Sequence, residues 1–283
     1  MRIVQIHQPE NLARFKRAGA DAVIVDAGPY AIRTEEKQPL ESLYGWKAAC
    51  DKAGLKLFVN AEKLLMQPDL PVFEHVLEVL RDTADGIYVS DEGFLYGAKK
   101  MGLLDKCIYQ PDTLIANHMD IRFYLDLGLQ AVSLAHELSF REIESLMQAL
   151  TPQERTRVEL LAHGYHSILY SRRPLLENYF AQVNRTYPGG RLDLIEETRK
   201  ERMPVLQDEA GTHIFSAQPV DSSAWMERLE KSGLERFRFG GFGLSDEELL
   251  QVLEAYQHPE SAPKQGSDFW YGQESTIWKG EAK

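Results

Sequence analysis

Short runs of apolar and β-branched residues alternate along the chain with stretches in which apolar residues recur every three or four positions. The first pattern is typical of strands and the second of amphipathic helices. The runs that predict strands are Arg2–Gln5, Ala22–Val25, Leu57–Asn60, Gly86–Val89, Lys106–Gln110, Ala131–Leu134, Val158–Ala162 and Glu235–Phe239. Because these eight strands alternate with helices, the sequence predicts an α/β fold, a TIM-like (β/α)8 barrel.

Two of the predicted helices begin with capping boxes, in which a serine hydroxyl and a glutamate carboxylate bond backbone N–H groups reciprocally. One box pairs Ser139 with Glu142, and the other pairs Ser245 with Glu248. Apolar residues at helical spacing follow both, so we expect helices to begin there.

A long insertion separates the last two predicted strands and far exceeds an ordinary βα connection. Residues 171–220 predict an inserted β-rich flap. Its predicted strands lie at Leu192–Ile195, Met203–Leu206 and Thr212–Phe215. We therefore expect one barrel domain over residues 1–257 that includes the flap, followed by an irregular C-terminal extension over 258–283. At the C-terminal face of a barrel, such a flap either contributes to a site or stabilises the fold.

Polar residues end or follow most of the predicted strands. In a closed barrel these side chains converge on one face, where barrel enzymes build their active sites. They are Gln5, His7, Asp26, Asn60, Glu62, Ser90, Asp91, Gln110, Asp112, His136, Glu137 and His163. Their convergence predicts a polar pocket, although for each residue alone a satisfied hydrogen bond at a strand end is the simpler interpretation.

Charge and cysteine content narrow the possible functions. The chain has 32 Lys and Arg against 43 Asp and Glu, a formal charge of −11 that opposes nucleic acid binding by this chain alone. Its two cysteines, Cys50 and Cys107, are too few for a four-thiolate site and are interpreted as buried, unreactive thiols. No signal-peptide core or membrane-spanning apolar run is present, so we expect no membrane contact and a cytoplasmic location.

Three local features leave alternatives open. His163 and His166 resemble half of a metal site, but Gly164 between them indicates a turn, and no metal is expected. The loop Phe239–Gly243 is either a tight turn or a phosphate cradle. The arginine-rich segment 172–202 could bind a phosphate or carboxylate ligand or an acidic partner, or it could form solvated ion pairs.

The chain resembles the collagenase-like peptidase family, peptidase family U32, and the resemblance is specific around residues 158–216. The residues that carry the resemblance lie in Val158–Gly164, Leu169–Leu176, Glu197–Val205 and Asp208–Ile214, with looser matches at Gln110–Asn117 and His136–Ser139. The resemblance extends over about residues 1 to 257. It implies prephenate-dependent 5-hydroxylation of the wobble uridine of tRNA, hydroxylation of ribosomal RNA, or ubiquinone synthesis without oxygen. It also implies an iron–sulfur cluster held by four cysteines in several members, and pairs of related subunits in some.

The chain departs from the family pattern at the cysteines. The resemblance puts the first two family cysteines at Ser167 and Pro174, and no cysteine follows Cys107. We therefore expect no iron–sulfur cluster made from this chain alone. Near the last strand, where the family has Ile-Glu-Gly-Arg, residues 238–242 read Arg-Phe-Gly-Gly-Phe.

The leading hypothesis is a cluster-free subunit of a two-protein tRNA uridine hydroxylase. A paralogous, cysteine-containing partner would supply the cysteines and the tRNA-binding surface, and a prephenate-like molecule would be the co-substrate. The candidate substrate-binding residues are Gln110, Asn117, His163, Tyr170, Arg173, Asn60 and His136. Among them, Arg173 is a candidate carboxylate clamp. The alternatives are a peptidase that uses Ser171 or a histidine-bound metal, and a noncatalytic scaffold for the paralogue; whether this chain is catalytic stays open.

Overall fold

Eight parallel strands close into a barrel at the centre of the protein. The structure is a computed structural model that describes residues 1–198, 200–258 and 264–274. Its strands are β1 (Arg2–Gln5), β2 (Ala22–Asp26), β3 (Lys56–Asn60), β4 (Gly86–Val89), β5 (Cys107–Tyr109), β6 (Ala131–Ser133), β7 (Val158–Gly164), β8 (Ser167–Ser171), β9 (Leu192–Ile195), β10 (Arg202–Asp208), β11 (Gly211–Phe215), β12 (Val220–Asp221) and β13 (Arg236–Phe239). Strands β1 to β7 pair in sequence, and β13 pairs with both β7 and β1, which closes the ring. The predicted (β/α)8 barrel is confirmed.

Helices surround the barrel. In the described residues they are α1 (Leu12–Arg17), α2 (Ser42–Ala53), α3 (Phe73–Thr83), α4 (Glu92–Lys100), α5 (His118–Asp126), α6 (Phe140–Gln148), α7 (Pro152–Arg155), α8 (Leu175–Gln182), α9 (Met226–Lys231) and α10 (Asp246–Gln257). Short 3-10 helices lie at Pro9–Asn11, Gln67–Val72, Leu104–Lys106, Ser223–Trp225 and Phe269–Gly272. None of these helices is long and apolar enough to span a bilayer.

Alternation along the strands divides the apolar residues into two layers. On β2, for example, Val23 and Val25 join the large core between strands and helices, whereas Ile24 faces the barrel interior. The interior apolar cluster consists of Ile3, Ala22, Ile24, Phe58, Tyr88, Ile108 and Ala131. Most of these residues lie at the beginning or middle of their strands, so the interior nearer the C-terminal strand ends is left to polar side chains.

The insertion between β7 and β13 forms its own antiparallel sheet in the order β8-β11-β10-β9. This small sheet starts with Ser167, a few residues before the predicted flap boundary at 171. The chain returns to the barrel through β12, which pairs antiparallel with β7 at Gly164 and His163. We use the name flap for residues 167–215.

The predicted C-terminal extension, 258–283, lies partly outside the described residues. Within it, residues 264–274 pack against the barrel. Tyr271 is buried with its ring centroid 5.8 Å from that of Trp225, and Ser267 forms an isolated parallel bridge with Val220. This segment thus packs against β12, the strand through which the chain returns from the flap to the barrel.

Both predicted capping boxes are confirmed. In each, the serine hydroxyl accepts a hydrogen bond from the glutamate N–H, and the glutamate carboxylate accepts from the serine N–H. The second box starts α10, the helix that follows the last barrel strand. The neighbouring Asp246 is buried, and its carboxylate accepts hydrogen bonds from His7 N at 2.9 Å, Gln8 N at 3.1 Å and Asn11 Nδ2 at 2.8 Å. One carboxylate therefore joins the last βα unit to the first.

Removing this carboxylate should destabilise the closed barrel. Asp246→Ala leaves two backbone N–H groups and one amide without their acceptor, so we expect the free energy of unfolding to fall by about 3 kcal/mol in urea denaturation. Glu247→Ala is the matched control. Its carboxylate is exposed and pairs with Arg14 at 2.7 Å, so its loss should change stability by less than about 1 kcal/mol. Equal effects of the two substitutions would contradict this role of Asp246.

Candidate functional site at the mouth of the barrel

Amide and carboxylate side chains at the strand ends meet at the C-terminal mouth of the barrel. Asp26, at the end of β2, accepts a hydrogen bond from Gln5 Nε2 and one from Asn60 Nδ2, each at 2.8 Å. Burial raises the pKa of Asp26, and the hydrogen bonds from Gln5 and Asn60 oppose that rise. Gln110, after β5, is also buried, and its Nε2 donates to Asp112 at 3.0 Å. The predicted convergence of strand-end residues therefore exists for Asn60 and Gln110.

A chain of buried charges lies beside these amides. Arg33, in the loop after β2, donates hydrogen bonds to both Glu62 and Asp112. Although burial alone would raise the pKa of Asp112, the adjacent guanidinium of Arg33 holds it at about 2. Arg238 Nη1, from β13, lies 3.9 Å from Glu62 Oε1. Two guanidinium groups and two carboxylates thus face each other across the mouth.

The charges continue downward into the barrel. Glu159 on β7 is fully buried, and its carboxylate accepts from the Tyr88 hydroxyl at 2.9 Å. The guanidinium groups of Arg236 and Arg238 each lie 3.6 Å from it. Several buried atoms in this cluster, namely Glu159 Oε1, Arg236 Nε and Nη2, and Arg238 Nε, have no hydrogen-bond partner among the described residues. Buried polar groups are normally satisfied, so these atoms depend on the ion pairs at 3.6 Å for compensation of their charge.

His136, after β6, lines the inner part of the mouth with its imidazole ring. Its Nε2 faces two donors, Arg238 Nη2 at 3.0 Å and Gln110 Nε2 at 3.3 Å. Nε2 must therefore act as the acceptor, which assigns the ring proton to Nδ1. Burial, followed by the positive charge of Arg238, lowers the pKa of His136 well below its usual value. The ring is neutral at pH 7 and can hydrogen-bond a ligand without carrying charge. His166 lies parallel to it, with the ring centroids 6.2 Å apart.

Two cavities open at the mouth. The inner cavity has a volume of about 50 Å³ and is lined by Asn60, Glu62, Gln110, His136 and Arg238, among others. The outer cavity, of about 320 Å³, lies between the loop after β2 and the loop after β13. The Arg33 side chain lines both of them. The mouth can therefore hold a small polar ligand, with cationic, anionic and neutral groups within one site.

Four of the predicted site residues, Asn117, His163, Tyr170 and Arg173, lie outside these two cavities. Asn117 is exposed, and its side chain caps α5 by accepting from Met119 N and Asp120 N. Tyr170 lies in the flap, where its hydroxyl donates to Ala210 O at 2.8 Å. Arg173 is an exposed flap residue. The structure does not bring Asn117, Tyr170 and Arg173 to the cavities that His136 lines.

His163 faces away from the mouth. Its ring lies edge-on to Tyr256 of α10, with centroids 6.0 Å apart, on the outer side of the barrel. The register between β7 and β13 shifts between Arg238 and Phe239, so that Arg238 pairs with Leu161 and Phe239 with His163. This bulge moves His163 to the outer face, although alternation from Glu159 would turn it inward.

The flap residues proposed for other chemistry are also accounted for. Ser171 Oγ accepts from Arg173 N at 3.3 Å, and no histidine in the described ranges hydrogen-bonds to it. In the arginine-rich segment, Arg191 pairs with Glu35 at 3.0 Å and Arg202 with Asp193 at 3.5 Å. Arg199 lies outside the described residues. Partly exposed ion pairing therefore accounts for two of the segment's arginines.

The residues do not fit a cysteine-ligated cluster. Cys50 on α2 and Cys107 on β5 are both buried, as predicted, and burial raises the pKa of each thiol to about 12. Ser167, where the resemblance places a family cysteine, lines the inner cavity, and Pro174 precedes α8. Across the residues that the structure describes, no three His, Cys, Asp or Glu side chains are grouped to hold a metal ion.

The glycine-rich loop after β13 serves as a turn. Gly240 N donates to His163 O at 2.8 Å, and Gly241 N donates to Gln5 Oε1 at 2.9 Å. A Cβ at Gly241 would lie 2.6 Å from Gln5 O, so only glycine fits this approach. Because protein acceptors occupy these N–H groups, they are not free to cradle a phosphate.

The charged cluster of Glu159, Arg236 and Arg238 inside the barrel is not among the features predicted from the sequence. Arg236 and Arg238 alternate with Phe237 and Phe239, which puts both arginines on one face of β13. Glu159 occupies an otherwise apolar strand. The presence of Glu159 on one strand and of Arg236 and Arg238 on the strand beside it, all at inward-facing positions, could have predicted this cluster. For Arg33 no such signal existed, because its position depends on the path of a loop.

Burial of His163 predicts a loss of stability in mild acid. Burial lowers the pKa of His163 to about 4, and Asp221 opposes this shift only in part. Since the folded pKa lies below the unfolded value of 6.5, the unfolded chain binds the proton more readily. This contribution to stability is fully present above pH 6.5 and is lost as the pH falls toward 4, by up to about 3 kcal/mol.

The variant His163→Gln removes this titration. Its free energy of unfolding, measured in urea at a series of pH values from about 7 to 4.5, should fall less steeply than that of the wild type. His75→Gln is the control, because the His75 side chain is 61% exposed, and it should keep the wild-type slope. A wild-type slope in His163→Gln would contradict the assigned shift.

The sequence is similar to proteins named for tRNA hydroxylation. It is 23% identical over 248 residues to tRNA hydroxylation protein P2 of Bacillus subtilis (strain 168), covering 85% of this chain and 79% of that protein. It is 25% identical over 258 residues to tRNA hydroxylation protein P1 of the same organism, covering 87% of this chain and 60% of that protein. For tRNA hydroxylation protein P of Escherichia coli (strain K12), the identity is 22%, and the coverage is 79% and 59%. This chain thus spans less than two thirds of the latter two relatives.

The family model described as peptidase family U32 matches residues 7–268. This range contains every strand of the barrel except β1, together with the flap and residues 264–268 of the described extension. The resemblance inferred from the motifs is confirmed, over nearly the same range of the chain as expected. The chain belongs to peptidase family U32.

Proposed function

We propose that this chain is a subunit of an enzyme that hydroxylates carbon 5 of the wobble uridine of tRNA. The observation that carries the proposal is the similarity to tRNA hydroxylation protein P2, which extends over 85% of this chain and 79% of the relative. Family membership alone would not suffice, because one fold hosts many activities. The polar barrel mouth supplies a suitable site for a small ligand.

We propose that a paralogous, cysteine-containing subunit supplies the redox centre and the RNA-binding surface. This chain offers only the buried thiols Cys50 and Cys107 and a net charge of −11, so neither cluster ligation nor tRNA binding is expected of it alone. The occurrence of relatives named P1 and P2 in one organism supports a pair of paralogues. With tRNA as substrate, the complex would act in the cytoplasm.

The barrel mouth is the proposed site of a prephenate-like co-substrate. Arg33 and Arg238 line the inner cavity, and a guanidinium group can bind a carboxylate through two parallel hydrogen bonds. Both arginines are already paired, so a ligand carboxylate has to displace Glu62 or Asp112 from one of them. Arg173 is a second candidate clamp, on the exposed flap.

Deleting the gene should strongly reduce wobble 5-hydroxyuridine. Digested tRNA from the deletion strain, from the parent and from a strain complemented on a plasmid would be compared by mass spectrometry. We expect the modified nucleoside to fall in the deletion strain and to return on complementation. An unchanged level in the deletion strain would exclude the proposed function.

Substitutions in the mouth should reduce hydroxylation in the complemented strain. His136→Gln and Arg238→Gln each remove polar contacts of the inner cavity, and we expect roughly a tenfold or larger loss of 5-hydroxyuridine formation. Arg185→Gln, an exposed flap arginine, is the control and should behave as the wild type. Thermal unfolding of each purified variant separates a loss of the site from a loss of the fold.

The same panel distinguishes the remaining alternatives. Loss of modification in Arg173→Ala, with retention in Arg238→Gln, would move the carboxylate clamp to the flap. Retention in every mouth variant, together with co-purification of a paralogue, would identify a noncatalytic scaffold. A peptidase is not favoured, because Ser171 Oγ accepts from a backbone N–H and has no histidine base among the described residues.

A further inference from the structure

Arg33 adopts an uncommon conformation directly over the barrel mouth. Its backbone φ is 60°, in the left-handed region that residues other than glycine rarely adopt. Such strain persists only where surrounding contacts enforce it, and it collects at functional and switch regions. Here the Arg33 side chain is held by Glu62 and Asp112, and its backbone N–H donates to Asp208 Oδ2 of the flap at 3.1 Å.

The Arg33 side chain separates the two cavities of the mouth. It is one of three residues, with Gln5 and Phe242, that line both the outer cavity of about 320 Å³ and the inner cavity of about 50 Å³. Gln5 is fixed by hydrogen bonds to two neighbouring segments, and Phe242 is stacked on Phe215 with ring centroids 3.8 Å apart. Arg33, by contrast, begins a loop whose next residues include the exposed Glu35 and Glu36.

This loop is attached to the flap by weak contacts. Lys37 Nζ pairs with Glu209 at 3.0 Å, and Glu35 pairs with Arg191 at 3.0 Å. The Glu209 side chain is 72% exposed, and the Glu35 side chain is 49% exposed. Exposed ion pairs of this kind contribute little to stability and break readily. The firmer attachment of the loop is Arg33 itself, through its pairs with Glu62 and Asp112, so the loop opens only when these two pairs break.

The polar groups of the inner cavity are enclosed in the closed form. His136 Nδ1 is buried, and Nε2 is covered by the donors Arg238 and Gln110. Gln110 is 1% exposed and Asn60 is 6% exposed. Groups that are to bind a ligand in this arrangement must first become reachable from the outer cavity.

We propose that residues 33–37 form a gate over the barrel mouth, that Arg33 is its latch, and that the flap holds it shut through Asp208. Withdrawal of Arg33 from Glu62 and Asp112 joins the two cavities and gives solvent access to the inner one, which His136 lines. The inference rests on the proposed function only in taking the mouth as the binding site. Because the flap contacts the gate at three points, any displacement of the flap shifts the balance between the closed and open forms.

The gate is tested by the reactivity of His136 in the purified, full-length protein. Diethyl pyrocarbonate modifies accessible, neutral imidazole nitrogens, and peptide mass spectrometry gives the rate at each histidine. Arg33→Asn removes the latch and retains a residue that tolerates a positive φ. We expect His136 to react roughly tenfold faster in this variant, and Asp208→Asn to give a smaller increase. Arg185→Gln, on the flap but without a side-chain contact to the gate, should keep the wild-type rate.

His163 provides the internal reference, because it is 1% exposed and lies on the outer side of the barrel. An unchanged rate at His136 in Arg33→Asn would overturn the proposal. An equal increase in the modification rates of His163 and His136 would also contradict the proposal, since the variant would then be destabilised as a whole. The assay needs neither tRNA nor a partner subunit. Faster reaction of His136, together with a gene deletion that leaves the level of wobble 5-hydroxyuridine unchanged, would sustain the gate and reject only the proposed function.

Discussion

Desolvation of charge inside the barrel is the constraint on which the site depends. Glu159 is buried without water contact, and an isolated carboxylate there would be strongly destabilising unless positive charge lay close by. Arg236 and Arg238 supply that charge from the neighbouring strand. Once Arg238 is fixed in this way, its guanidinium determines the tautomer of His136 and lies near Glu62. The chemistry at the mouth is thus a consequence of charges buried beneath it.

Much of the fold could be predicted because local patterns and the global arrangement agree. The eight barrel strands are short β-rich runs, and their order in the ring is their order in the sequence. The meeting of Asn60, Gln110 and His136 in one cavity could be predicted for the same reason, since each ends or closely follows a strand and strand ends meet at one face. Nothing beyond alternation and parallel closure was needed to bring these three together.

The rest of the site depends on features that local patterns do not encode. His163 was expected to face the mouth, but one bulge between β7 and β13 reverses the side on which it lies. The sequence predicts a pocket position for Asn117, whereas its place before α5, with Asp120 three residues later, is a helix-capping pattern. No local pattern predicts the position of Arg33, because it is set by contacts with Glu62 and Asp112, which are distant in sequence.

Where the flap joins the barrel has a mechanical consequence. The chain leaves β7 at Gly164, whose φ is 135°, and a Cβ there would lie 3.0 Å from the Cα of Gly240. The departing strand is paired at the same point with the returning Val220. Both stems of the flap are therefore clamped together at a pivot against the barrel wall. A force applied to β9, the outer strand of the flap sheet, would therefore rotate the sheet about this pivot. The rotation would move the turn between β10 and β11, which contacts the loop over the mouth.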